Sequence, residues 1–118
     1  MNTTENNKNI AEFMGCDFTQ IGKRILVSPT SSLIGTNYID KLLYHSDWNW
    51  LMEVVEKIES FEDENRCAKY NVNITQNFVD IYDNENSIEI VGLNTDIKIQ
   101  AVYNACVEFI KWYNQQTK

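Results

Sequence analysis

Hydrophobic positions recur along this chain with two different periods. Near the start, Ile10, Phe13 and Met14 fall at helical spacing behind a polar lead-in, and Gly15 follows as a natural stop. This predicts a short amphipathic helix over about 5–14. Further on, Trp48, Leu51, Val55 and Ile58 repeat at i, i+3, i+7 and i+10, with Glu53, Glu56, Lys57 and Glu59 largely off that stripe. Ser46 or Asp47 can cap the segment, because a short side-chain oxygen accepts from the free N–H groups of a first turn. A second helix is predicted over about 47–60. Ile99, Val102, Cys106, Phe109, Ile110 and Tyr113 share one face behind Thr95 or Asp96 as a cap, which predicts a third helix over about 96–114.

Between the second and third helices the period changes to two. Ala68, Tyr70, Val72 and Ile74 alternate with Lys69, Asn71, Asn73 and Thr75, as in a strand with one wet face. Phe78 to Tyr82 is a second run, followed by the turn-forming DNEN, and Ile88 to Val91 is a third, ended by Gly92. The FEDENR tract before them reads as a solvated turn. From Asp17 to Tyr44 the pattern is poor: Arg24 to Val27 reads as a short strand, PTSSLIGTN as a loop, and Tyr38 to Tyr44 as either strand or helical turn. The expected class is α+β: an antiparallel sheet of three to four strands, with a β-meander at 68–91, packed with three helices.

Length and charge narrow this further. A chain of 118 residues accommodates one domain, 1–118, with room for a core that needs no staples. Fourteen aromatic residues (three Trp, six Tyr, five Phe) supply packing area and argue against disorder. The net charge of −7, from ten Lys and Arg against seventeen Asp and Glu, argues against binding extended nucleic acid or docking on anionic lipid. A local basic pocket for a small anion stays open. No run approaches the ~18 apolar residues of a membrane span, and MNTTENNKNI lacks the basic and apolar regions of a secretory signal. The expected location is the cytoplasm, with the sequons at Asn2 and Asn73 then carrying no glycan.

Candidate chemistry is sparse. Cys16, Cys67, Cys106 and His45 have the composition of a Cys3His zinc set. Structural zinc ligands usually come in close pairs, however, and here each cysteine stands alone, with Cys106 on an apolar helix face. No metal or other cofactor is expected. His45 could act as a base or stack on a ligand, but no Ser or Cys nucleophile accompanies it at a motif spacing. Lys23, Arg24, Lys41, Arg66 and Lys69 lie near loops without a glycine-rich phosphate cradle. The carboxylates Glu59, Glu62, Asp63 and Glu64 lack the spacing and glycine of an EF-hand. No catalytic residue is expected.

Three stretches taken together, NIAEFMG at 9–15, YHSDWNWLMEVVEKIES at 44–60 and KIQAVYNACVEFIKWYNQQ at 98–116, resemble a family of short uncharacterised proteins of phages and prophages of Bacteroidetes-type bacteria, of the phage α-β-α sandwich kind. Two positions depart from the family pattern: Asn49 replaces an acidic residue and Glu53 a frequent proline. Proline early in a helix suits its geometry, so neither change threatens the fold. The resemblance implies origin and fold, and supplies no catalytic residues.

These readings lead to one expectation: a non-enzymatic phage or prophage accessory protein that acts by binding and inhibits or modulates a host defence component. The alternatives are a sponge for a nucleotide immune signal and, third, a small enzyme centred on His45. The partner is then a host protein or a small nucleotide, with self-association open. Trp48 and Trp50 cannot share a helix face. With Trp48 on the stripe, Trp50 points either under the 17–44 segment or outward. Binding residues commonly sit on loops held by a rigid scaffold. Tyr44, His45 and Trp50 are therefore expected to border the binding surface, with Lys23 and Arg24 nearby.

Overall fold

A computed structural model describes residues 3–28, 36–60, 62–63, 68–76, 78–94 and 96–116. Helix α1 (Thr3–Phe13) is followed by β1 (Asp17–Ile21), β2 (Arg24–Ser28), β3 (Asn37–Tyr38) and a 3-10 turn (Ile39–Lys41). Then come α2 (Trp48–Ser60), β4 (Glu62–Asp63), β5 (Ala68–Ile74), β6 (Phe78–Asp83), β7 (Ile88–Asn94) and α3 (Lys98–Gln116). The strands form two antiparallel sheets, ordered β1-β2-β3 and β4-β5-β6-β7. The fold is α+β, with the meander and three helices in the expected order.

The helix ends follow from local chemistry. At the end of α1, Cys16 N–H donates to Ala11 O (3.0 Å) and Gly15 N–H to Glu12 O (3.1 Å). That pair of bonds is the Schellman arrangement, and it needs the left-handed backbone that Gly15 adopts at φ 81°. At the start of α2, Asp47 Oδ1 accepts from Asn49 N–H at 2.8 Å, so Asp47 is the cap. Helix α3 begins at Lys98, and Thr95, one of its two expected caps, lies outside the described residues.

Strands β5 to β7 turn one face toward the helices. Tyr70, Val72, Val79, Ile81 and Val91 from that face join Leu51, Val55, Ile58, Val102, Cys106 and Phe109 in one buried cluster. Phe109 sits among rings, with Tyr70 edge-on at 4.8 Å and Phe13 edge-on at 6.2 Å between centroids. The β6–β7 turn is held by Asp83, whose buried carboxylate accepts from the backbone N–H groups of Glu85 and Asn86 and from the Asn86 side chain. One residue is inserted in β7, because Ile81 pairs with Val91 while Tyr82 pairs with Glu89. The extra residue, Ile90, forms a bulge that lets Ile90 and Val91, neighbours in sequence, both line the same groove.

The poorly patterned third of the chain holds more strand than its sequence predicts. Asp17–Ile21 forms β1, paired with β2 through a two-residue turn at Gly22 and Lys23. Gly22 has φ 60°, and it is the first central residue of the turn, where a type II′ hairpin needs a glycine. Strand β1 shows no apolar alternation because all but Phe18 of its residues are exposed. Tyr38 closes a two-residue strand before the 3-10 turn, so the 38–44 segment contributes both of the expected forms. Glu62 and Asp63 pair with Lys69 and Ala68 as β4, where a solvated turn was expected. The loop expected at PTSSLIGTN lies largely outside the described residues.

Candidate functional site

The expected site divides when its residues are placed in the fold. Trp50 is 9% exposed and Tyr44 1% exposed, and their rings meet edge-to-face at 5.2 Å inside the core. A base-stacking platform or a protein hot spot needs an open ring face, so the expectation that Trp50 borders a binding surface is corrected. The two tryptophans exchange places relative to the sequence reading. The buried row of α2 is Trp50, Val54 and Ile58 beside Leu51 and Val55, while Trp48 is 40% exposed. Trp48 stands in the first turn, one turn before the exposed Met52, on the flank of the helix away from the buried row. Burial pushes the Tyr44 phenol well above its ordinary pKa, with the Cys16 thiol and the Glu53 carboxylate adding to the shift. Tyr44 is thus a packed, neutral core residue.

Arg24 is engaged elsewhere. Its guanidinium donates to Asp40 Oδ1 at 3.2 Å and lies 3.6 Å from the centre of the Tyr38 ring. The Arg24 hydrogen bond holds the Asp40 carboxyl below the usual carboxylate range. Lys23 is exposed at the β1–β2 turn. The contacts of Arg24 run to Tyr38 and Asp40, not to Tyr44 or His45.

His45 is exposed, and its ring is held from one side. Asn7 of α1 is 2% exposed and uses its amide in three directions. Its Oδ1 accepts from the Tyr103 hydroxyl at 2.9 Å, and its Nδ2 donates to Leu42 O at 3.1 Å and to His45 Nδ1 at 3.0 Å. The Leu42 carbonyl, which can only accept, fixes which end of the amide faces which partner. His45 Nδ1 is therefore the acceptor, and the neutral ring carries its hydrogen on Nε2. Histidine bases in catalytic triads use the reverse arrangement, with Nδ1–H donated to a carboxylate and Nε2 free to take a proton. His45 as held here offers a hydrogen-bond donor.

Among the described residues, no three His, Cys, Asp or Glu side chains group closely enough to hold a metal ion. Cys67, one of the sequence's four candidate zinc ligands, lies outside those residues. Cys106 is fully buried on α3, and burial pushes its thiol up to about 12. No described helix is long and apolar enough to cross a membrane.

One cavity lies away from all of the expected residues. A groove of about 520 Å³ runs between β7 and α3 and is closed at one side by α1. Its apolar lining is Ile90, Val91, Leu93, Ala101 and Val107. Its polar lining is three amides, Asn6, Asn94 and Asn104, together with Glu108, Lys111 and the Trp112 ring. Asn6 is only 6% exposed, and its side chain makes no hydrogen bond to another described residue. Asn6 is thus a polar group on the wall of the groove. Asn6 and Asn7 lie in the polar lead-in of the first predicted helix. The signal that could have found them is their spacing of three and four residues from Ile10 and Ala11, which continues the buried stripe of α1.

No protein-family model, no curated protein and no solved structure matches this chain.

Proposed function

We propose that this chain is a non-enzymatic binding protein whose partner occupies the groove between β7 and α3. The observation that carries this reading is the groove itself, with the nearly buried Asn6 on its lining and mixed apolar and amide walls. Such a concave surface with a few placed polar groups is where ligands are usually held. The resemblance of the 9–15, 44–60 and 98–116 stretches to phage and prophage proteins extends the proposal. The chain is then a phage or prophage accessory protein that works in the bacterial cytoplasm by binding a host protein, inhibiting or modulating a defence component.

A host protein fits this groove better than a nucleotide signal does. A sponge for nucleotides needs an open aromatic face and several cations for the phosphates. The groove lining includes the Trp112 ring but one cation, Lys111, with Glu108 beside it, and Arg24 is paired with Asp40. The donor-presenting arrangement of His45 supports a binding role over a catalytic one.

The test is retention from a lysate of Bacteroidetes-type bacteria, analysed for both proteins and small molecules. The wild type is compared with Asn104→Tyr, which fills the groove, after circular dichroism shows that the variant folds. One protein retained by the wild type and lost by the variant supports the reading. Equal retention by both moves the binding surface elsewhere, and a retained nucleotide replaces the host-protein reading with the sponge.

A further inference from the structure

The two edges of the larger sheet are treated differently. On the β5 side, β4 pairs with Ala68 and Lys69, and farther along the Glu59 carboxylate of α2 accepts the Val72 N–H at 3.3 Å. That edge is plugged by a short strand and by a side chain, two usual ways of hiding unpaired backbone. On the β7 side no comparable hydrogen-bonded plug is present among the described residues, and the Glu89 carboxylate lies against Gly92. Among the described residues, no strand or side chain hydrogen-bonds the outer edge of β7. The bulge at Ile90 disturbs the first half of this edge, and from Val91 to Asn94 the strand pairs with β6 in regular register. No proline or lysine guards those four positions.

The groove lies beside this open edge. Its floor is one face of α3, where Ala101, Asn104, Glu108 and Lys111 recur at intervals of three and four residues. A strand placed next to β7 at the usual spacing of about 4.8 Å would turn alternate side chains toward that floor. The chemistry of the walls suits a polypeptide. Three amides can pair with peptide N–H and C=O groups, and apolar patches can take side chains. The single Lys and single Glu on neighbouring turns of α3 make no ion pair with each other among the described residues, so they ask for no net charge on the occupant.

From this juxtaposition of an unplugged edge and an amide-lined groove, we propose that β7 receives an extended peptide segment of a partner protein as a fifth strand, with alternate side chains set into the groove. This rests on the groove reading above and names the form its partner takes. Main-chain bonds to Val91–Asn94 supply affinity that is tolerant of sequence, and the groove beside Asn6 and Trp112 supplies selectivity.

The probe is a displayed library of random dodecapeptides, panned on the full folded chain, with one enriched peptide synthesised and titrated. Each residue of that peptide is then N-methylated in turn. Strand addition predicts a period-two result: methylation at alternate residues weakens binding at least tenfold and is tolerated at the residues between. It also predicts that a saturating peptide slows hydrogen exchange of alternate amides within Val91–Asn94. This second readout needs no substitution in the protein. Failure to enrich any peptide overturns the proposal, as does an enriched peptide that shows no alternation and leaves β7 exchange unchanged. A dimer in sedimentation with the same β7 protection and no peptide overturns it in favour of a second copy of this chain. Retention that is lost in Asn104→Tyr while no peptide enriches leaves the groove reading standing and removes only strand addition. Retention that is insensitive to Asn104→Tyr removes the groove reading itself.

Discussion

Tyr103 on α3 donates its hydroxyl hydrogen to Asn7 Oδ1 on α1 at 2.9 Å, a buried bond across 96 positions of sequence. Through the Asn7 amide this bond also sets the path of the chain at Leu42 and the orientation of His45. A polar group at the junction of two helices and a loop leaves little choice in how the three pack, because any other arrangement strands the amide.

Tyr103→Phe keeps the ring and removes the donor. It should cost about 1–2 kcal/mol by leaving one acceptor of Asn7 unsatisfied in the interior. Asn7→Ala should cost about 1–3 kcal/mol, since Leu42 O and the Tyr103 hydroxyl then lose their partner. In urea denaturation the double variant should fall short of the sum of the two by about 1 kcal/mol. Strict additivity would show that the two side chains do not act together.

Phe109→Ala should cost about 3–5 kcal/mol, because it opens a cavity among Tyr70, Phe13 and Tyr113 that these rings are too constrained to fill. A thermal melt that does not move would contradict the facing of α3.

Gly15→Ala tests the end of α1. Nothing lies within 4 Å of the added methyl group, so the effect isolates the backbone at φ 81°. Holding an L-residue there should cost about 1–2 kcal/mol. An unchanged denaturation midpoint would mean that the Schellman turn contributes no specificity to the end of this helix.

Alkaline stability should decline early. Burial pushes the Tyr103 phenol from 10.0 up to about 12 and the Cys106 thiol from 9.0 up to about 12. Both groups are protonated in the folded chain at pH values where the unfolded chain has lost the proton. Their contribution is therefore complete below the unfolded pKa values and is lost as pH rises through the folded ones. Urea midpoints measured between pH 8 and 12 should fall on the alkaline side, with a shallower fall in Cys106→Ala. The same slope in the variant would mean that the thiol is not shielded as its burial implies.

The helices and the meander were legible because their apolar residues repeat at the period of the element that buries them. Leu51, Val55, Ile58, Val102 and Phe109 are all in the core where the stripes placed them. The sequence read Trp48 as core because it falls in phase with Leu51 and Val55, yet the buried arc of α2 centres on Trp50, Val54 and Ile58 and leaves Trp48 at its margin. Strand β1 was illegible because a strand exposed on both faces carries no alternation. The groove was illegible for a different reason. Its identity depends on Asn6, Asn94 and Asn104, three common polar residues whose meeting is a product of topology. Equally, nothing local to Asn7 announces a partner at Tyr103. The expectation that function resides in the 17–50 region assumed that helices and sheet are wholly committed to the core. A sheet edge is the part of such a scaffold that side-chain periodicity does not describe.

The β1–β2 hairpin meets at Gly22 and Lys23, both exposed, and within it only Val27 is fully buried. Loop tips of this kind tolerate added sequence, because few buried contacts are there to be disturbed. The molecule thus comes with a handle: a tag, a fluorophore or a second binding module inserted between Gly22 and Lys23 would travel with the fold while the α3 core stays as it is.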